Sequence, residues 1–94
     1  MSKLKFDKEI KKLNRYKSNK KYFLDKVIEV YSDFFSGIEI KKIIENDNEK
    51  DGGGYWLEVK FDTTDKLWEL FESLSEKNNI QIDGTDTEFN IFED

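Results

Sequence analysis

Four acidic side chains, Asp65, Glu69, Glu72 and Glu76, recur at intervals of four, three and four residues. On a helix such spacings line them along one side, with neighbours about 5–6 Å apart. Phosphates along a nucleic-acid strand repeat on a similar scale, so a row of carboxylates of this kind fits the basic groove of a nucleic-acid-binding protein. Each like-charge pair costs roughly 0.2–0.5 kcal/mol of helix stability, with no evident folding gain. The competing reading is a solvated helix face, with Asp65 and Glu69 favoured by the positive end of the helix dipole. Further acids surround the row in sequence: Asp47, Glu49 and Asp51 in one loop, Asp83, Asp86 and Glu88 in or near another, and Asp62, Glu93 and Asp94. If these loops border the surface that carries the row, the field there reaches several kT and steers a basic partner.

Catalytic chemistry has little to work with. The chain has no histidine and no cysteine, which removes the usual general base near neutral pH, the thiolate nucleophile and the commonest metal ligands. Asp47, Glu49, Asp51, Gly52 and Glu58 fall at offsets one, three, five, six and twelve of a calcium loop. The third position is Glu, Gly54 stands where an apolar residue belongs, and the flanks read as strands. An acidic hairpin loop is the better reading, and neither a metal nor a cofactor is expected. Gly52-Gly53-Gly54 lacks the following Lys-Ser or Lys-Thr of a phosphate cradle. No nucleophile is spaced with a base, so the chain reads as non-enzymatic.

The opposite charge lies at the other end. Residues 1–44 hold twelve basic and six acidic side chains, a balance of +6, whereas residues 45–94 hold four and fifteen, a balance of −11. The net −5 conceals this dipole. Lys3, Lys5, Lys8, Lys11, Lys12, Arg15, Lys17, Lys20 and Lys21, with Tyr16 and Tyr22 nearby, offer a second mode: direct contact with nucleic-acid phosphates. Lysine outnumbers arginine heavily, which argues against bidentate base readout.

The elements that must position these groups follow from the apolar periods. Phe6, Ile10 and Leu13 predict a helix over about 8–17 with Asp7 as its cap. Phe23, Leu24, Val27, Ile28, Tyr31, Phe34 and Phe35 predict a second over about 19–35, capped by Ser18 or Asn19 and stopped by Ser36-Gly37 with a left-handed Gly37. Ile38, Ile40, Ile43 and Ile44 form a β-branched run whose alternation slips at Lys41-Lys42, which predicts a bulge. After a flexible polar connection, Asn46–Gly54, the residues Tyr55, Leu57, Val59 and Phe61 alternate as a half-buried strand that completes a hairpin. Thr63 or Thr64 caps a third helix with Leu67, Leu70, Phe71 and Leu74 as its buried stripe, ended by Asn78-Asn79. Ile80 and Ile82 begin a third strand, Asp83-Gly84 marks a short turn, and Phe89 and Ile91 belong to a fourth. Trp68 belongs to the edge of the helix core. Trp56, on the strand face opposite Tyr55 and Leu57, reads equally as a residue covered by a helix and as an exposed interface anchor.

The resulting fold class is α+β in the order ααββαββ, one domain over residues 1–94, with a four-stranded, mainly antiparallel sheet and helices packed on one face. No apolar run approaches a membrane span, and residues 1–6 are not followed by the apolar stretch of a secretory signal. The expected place is the cytoplasm of a bacterial host; abundant Lys, Asn, Ile, Glu and Asp suit a low-GC bacterium or its phage. The functional expectation is a small acidic inhibitor that binds a basic nucleic-acid-binding protein or a nuclease as a DNA mimic, of the anti-CRISPR, anti-restriction or nuclease-immunity protein type. Asp65, Glu69, Glu72 and Glu76 are its main contact, the loop acids and Trp56 its flanks. The alternatives are direct nucleic-acid binding through the basic N-terminal helices, and head-to-tail assembly driven by the opposite charges.

Overall fold

A computed structural model describes residues 6–62 and 66–93. The chain forms α1 (Phe6–Lys11), a 3-10 turn (Asn14–Lys17), α2 (Tyr22–Ser36), β1 (Ile40–Asp47), a second 3-10 turn (Glu49–Asp51), β2 (Tyr55–Phe61), α3 (Trp68–Lys77), β3 (Gln81–Gly84) and β4 (Glu88–Phe92). The four strands make one sheet in the order β1-β2-β4-β3, every neighbouring pair antiparallel. β2 and β3 therefore run parallel with β4 between them, and α3 makes the crossing.

Alternation along β2 decides which face is covered. Tyr55, Leu57, Val59 and Phe61 are buried, and Trp56, Glu58 and Lys60 between them are half-exposed. Register carries this division across the sheet, because Val59 faces Phe89 and Leu57 faces Ile91. Rings of α2 (Phe34 and Phe35) and α3 (Trp68 and Phe71) all reach Phe89, at centroid distances of 4.0–6.3 Å, and Phe23 of α2 stands edge-on to Tyr55 at 5.9 Å. Phe6 of α1 stacks on Phe35 at 4.6 Å. Aromatic contacts of this kind are worth about 0.5–1.5 kcal/mol each beyond the area they bury.

The predicted bulge is present: pairing between β1 and β2 shifts register between Ile40 and Lys42. Several boundaries differ. The first helix ends at Lys11 instead of running to 17, and Leu13 is extended. The break is held by Glu45, whose carboxylate accepts the backbone N–H groups of Asn14 (3.1 Å) and Arg15 (2.9 Å). Asp7 lies within the first turn, not before it. Ser18 does not cap α2; its hydroxyl donates to the Arg15 carbonyl and accepts from the Lys20 N–H. Gly37 is not left-handed (φ −96°). The stretch 46–54 is a built turn: Asn48 O accepts from Asp51 and Gly53, Asn48 N–H donates to Gly54 O, and Gly52 takes the left-handed conformation (φ 81°). The caps expected at Thr63 or Thr64 lie outside the described residues.

The buried stripe of α3 is also turned. Leu70 is 63% exposed, and the buried positions are Phe71 and Ser75, flanked by half-buried Trp68 and Leu74. Ser75 is accommodated because its hydroxyl donates to the Phe71 carbonyl (2.7 Å) and accepts from the Tyr31 hydroxyl (2.6 Å). Burial raises the Tyr31 pKa. The helix ends as expected at Asn78-Asn79, with Asn79 left-handed (φ 57°) and Ile80 N–H returning to Ser75 O at 2.9 Å. Asp83-Gly84 is not the turn; both belong to β3, and residues 85–87 turn the chain, with Thr85 N–H donating to Glu88 O at 2.8 Å. Gly84 (φ 153°) is needed for another reason: a Cβ there would run into the carbonyl oxygen of Glu88.

Candidate functional site

The acidic residues singled out from the sequence occupy three separate places. Glu69, Glu72 and Glu76 lie on the outer face of α3, all exposed, and among the described residues none of them is in an ion pair. Asp65 lies outside the described residues. Asp47, Glu49 and Asp51 are at the β1–β2 turn. Asp83 is on the edge strand β3, Asp86 in the β3–β4 turn and Glu88 at the start of β4.

Register shows that the two hairpin turns are at opposite ends of the sheet. Asp47 pairs with Tyr55 at the start of β2, whereas Glu88 pairs with Lys60 near its end, and Thr87 O accepts from Phe61 N–H. At about 3.3 Å per residue, β2 separates the turns by roughly 20 Å. The loop acids therefore do not converge on one surface with each other.

Some of them are also engaged. Arg15, the chain's sole arginine, was counted from sequence among the solvated basic residues, but it is only 5% exposed. Its Nη1 donates to Glu93 Oε1 at 2.8 Å and its Nη2 to Glu49 Oε1 at 2.6 Å, with Asp47 Oδ2 at 3.6 Å. The guanidinium lies 3.9 Å over the Tyr55 ring. Burial alone would lower the Arg15 pKa; Glu93, Glu49 and Asp47 more than reverse it, so the net shift is upward. Glu45 completes the cluster by accepting the Tyr55 hydroxyl at 2.6 Å, and the Tyr55 pKa rises far above its usual value, through burial first and then this carboxylate. Arg15 thus clamps the N-terminal turn to the β1–β2 turn and the end of β4. Lys20 adds a longer contact to Glu49 (3.7 Å). The sequence did hold a clue: a single arginine among fifteen lysines is the one cation whose planar fork suits buried, two-carboxylate pairing.

The open face of the sheet carries the remaining candidates. Trp56 is half-buried there, not under a helix ring, and packs against Phe92 at 5.7 Å. Glu58, the twelfth position of the calcium-loop spacing, accepts from the Asn46 amide at 2.9 Å, whereas Asp47 and Glu49 face Arg15. Among the described residues no group of three or more acidic side chains is arranged to hold a metal ion. At the far end of this face Lys42 stands directly across from Lys60, which Glu88 approaches at 3.7 Å. With Lys41 they line an open groove of about 470 Å³.

A second cleft, about 220 Å³, lies where the start of α2 meets the ends of α3 and β4. It is lined by Tyr22, Phe23, Lys26, Asn79, Ile80, Phe92 and Glu93. Tyr22 on its rim is 66% exposed. No helix among the described residues is long and apolar enough to cross a membrane. Comparison of the chain with protein-family models, with curated proteins and with solved structures finds no match.

Proposed function

We propose that the chain is a non-catalytic inhibitor that binds a nucleic-acid-handling protein of a bacterial cytoplasm and offers it the outer face of α3 in place of phosphates. The observation that carries the reading is the contrast in engagement: Glu69, Glu72 and Glu76 are exposed and outside every ion pair among the described residues. Carboxylates about 5–6 Å apart match the scale of a phosphate row. The contact is smaller than the sequence suggests, because Asp47 and Glu49 serve Arg15 and the two hairpin turns are far apart. Anti-CRISPR, anti-restriction and nuclease-immunity proteins remain the functional class in view.

The test is affinity capture from bacterial lysate on the immobilised chain, with heparin and added salt as competitors. A nucleic-acid-handling protein that is displaced by both is the expected catch. The triple variant E69K/E72K/E76K, melting at the wild-type temperature, is expected to lose that catch. Undiminished capture by the folded triple variant refutes the proposal.

A second reading, direct nucleic-acid binding, now draws on the Lys41, Lys42 and Lys60 groove, where like charges face one another across the strands. A gel shift of RNA and DNA across a salt series separates the two: binding without any protein partner at physiological salt favours it.

A further inference from the structure

We propose that the open face of the sheet binds a nucleoside diphosphate laid along β2, its base on Trp56, its ribose against Glu58 and its phosphates among Lys41, Lys42 and Lys60. The site uses no residue of α3, so its failure leaves the reading of that helix untouched. Trp56, Glu58 and Lys60 are the outward positions of β2. They follow one another in steps of roughly 6.6 Å, two residues of strand each. An aromatic ring, a carboxylate and a cation in that order cover roughly 13 Å, a span that a nucleoside diphosphate and a flexible lysine side chain bridge together.

Register widens each position into a row. Phe92 stands across from Trp56, the ring centroids 5.7 Å apart and the planes tilted by 34°, and the two make an apolar floor. Any base stacks on such a floor, because every base has a π-face. Glu58 is held by the Asn46 amide at 2.9 Å, and a carboxylate has further acceptor sites for the hydroxyl pair of a ribose. Lys42 stands directly across from Lys60, and the bulge inserts Lys41 beside it. The three line one groove of about 470 Å³, within the roughly 300–1,000 Å³ of ordinary ligand sites. Like charges directly opposite destabilise a sheet. Among the described residues Lys41 and Lys42 are in no ion pair, and Lys60 has only Glu88, at 3.7 Å. A diphosphate between the lysines replaces that repulsion with charge-assisted hydrogen bonds. The distribution of charge selects a small ligand over a nucleic-acid strand. Glu58, Asp83 and Glu88 share this face, and phosphates repeated along a strand would lie over them. A nucleoside diphosphate carries its charge at one end, where three lysines face the single carboxylate of Glu88.

Calorimetric titration with adenosine diphosphate, with backbone amide chemical shifts to locate the contact, reads this out. The amides of Trp56, Glu58, Lys60 and Lys42 are expected to shift. The double variant Lys42→Gln/Lys60→Gln and, separately, Trp56→Leu are each expected to bind about tenfold or more weakly. The lysine variant loses a like-charge pair, so it is expected to melt no lower than wild type, and its lost binding is then not lost folding. Pyrophosphate is expected to bind more weakly than the nucleotide and to be indifferent to Trp56→Leu. Absence of shifts at these amides at millimolar adenosine diphosphate in low salt overturns the proposal. So does undiminished binding by the lysine variant, or pyrophosphate that binds as tightly as the nucleotide, since the base and Trp56 then contribute nothing. A single-stranded oligoadenylate that binds tenfold more tightly than the diphosphate at physiological salt assigns the face to nucleic acid and overturns it as well.

Discussion

Asp47 and Glu49 at the β1–β2 turn and Glu72 and Glu76 on α3 are pairs of carboxylates a few residues apart in sequence, yet they do different work. The first pair faces a guanidinium that is almost wholly buried and is shared with Glu93 and the Tyr55 ring. The second pair faces solvent. Around Arg15 the charges hold three chain segments together; on α3 they repel one another and stay available to an outside cation. An acidic count treats both groups as surface, and the difference comes from one arginine placed thirty or more residues away in sequence.

Removing that arginine is the strongest way to break the comparison. Arg15→Met leaves Glu93 without its cation and Glu49 with only the longer Lys20 contact (3.7 Å), and strips the face of Tyr55. Taking one partner from a buried ion pair typically costs about 3–5 kcal/mol; Glu49 is partly solvated, so about 3 kcal/mol is expected here. Urea unfolding measures it directly. A loss under about 1 kcal/mol, the range of exposed ion pairs, would place the hairpin acids in the same class as those on α3.

Tyr55 sharpens the comparison from a different side. Tyr55→Phe keeps the ring under Arg15 and deletes the hydroxyl bonded to Glu45. A hydrogen bond to a charged group is worth about 1.5–3 kcal/mol, and a loss near 2 kcal/mol is expected at neutral pH. The pH dependence carries the sign. An unfolded tyrosine releases its proton near pH 10, and folded Tyr55 and Tyr31 hold theirs to higher pH. Below that pH both states are protonated and the stabilisation is complete; above it the unfolded state binds fewer protons, so stability falls as pH rises. The decline above about pH 10 is expected to be shallower in Tyr55→Phe. Substitutions at Glu69, Glu72 or Glu76 are expected to leave that slope unchanged.

Local patterns were readable where one residue type sets the backbone. The β2 alternation, the α2 stripe, the bulge at Lys41 and the stop at Asn78-Asn79 all stand in the structure. Three of the misreadings share a cause: a polar or small residue doing interior work. Ser75 reads as surface, but with both of its hydrogen bonds made inside it occupies the core and turns Leu70 outward. Gly84 reads as a turn residue because Asp-Gly usually is one, while its need for glycine comes from the approach of the Glu88 carbonyl on the facing strand. Arg15 reads as one more solvated cation. Its partners lie 32, 34 and 78 residues away, distances that periodicity within a window does not reach. The row on α3 was legible because helical spacing is local; the separation of the loop acids was not, because it depends on strand order.

The smallest effect bears on α3 alone. Glu72 is three residues after Glu69 and four before Glu76, so it takes part in both like-charge pairs of the described row. Glu72→Gln removes both at once and keeps the side-chain shape. At roughly 0.2–0.5 kcal/mol per pair, a gain of about 0.4–1 kcal/mol is expected. Glu69 is the wrong place for this test, since it lies in the first turn, where the dipole favours a carboxylate. Because the repulsion is between exposed groups, the gain is expected to shrink in high salt. Substitutions in the Arg15 cluster are screened far less, as its cation is buried. A stabilising Glu72→Gln that at the same time weakens target capture identifies a carboxylate kept at the expense of folding, and a neutral substitution in both respects returns the row to an ordinary solvated face.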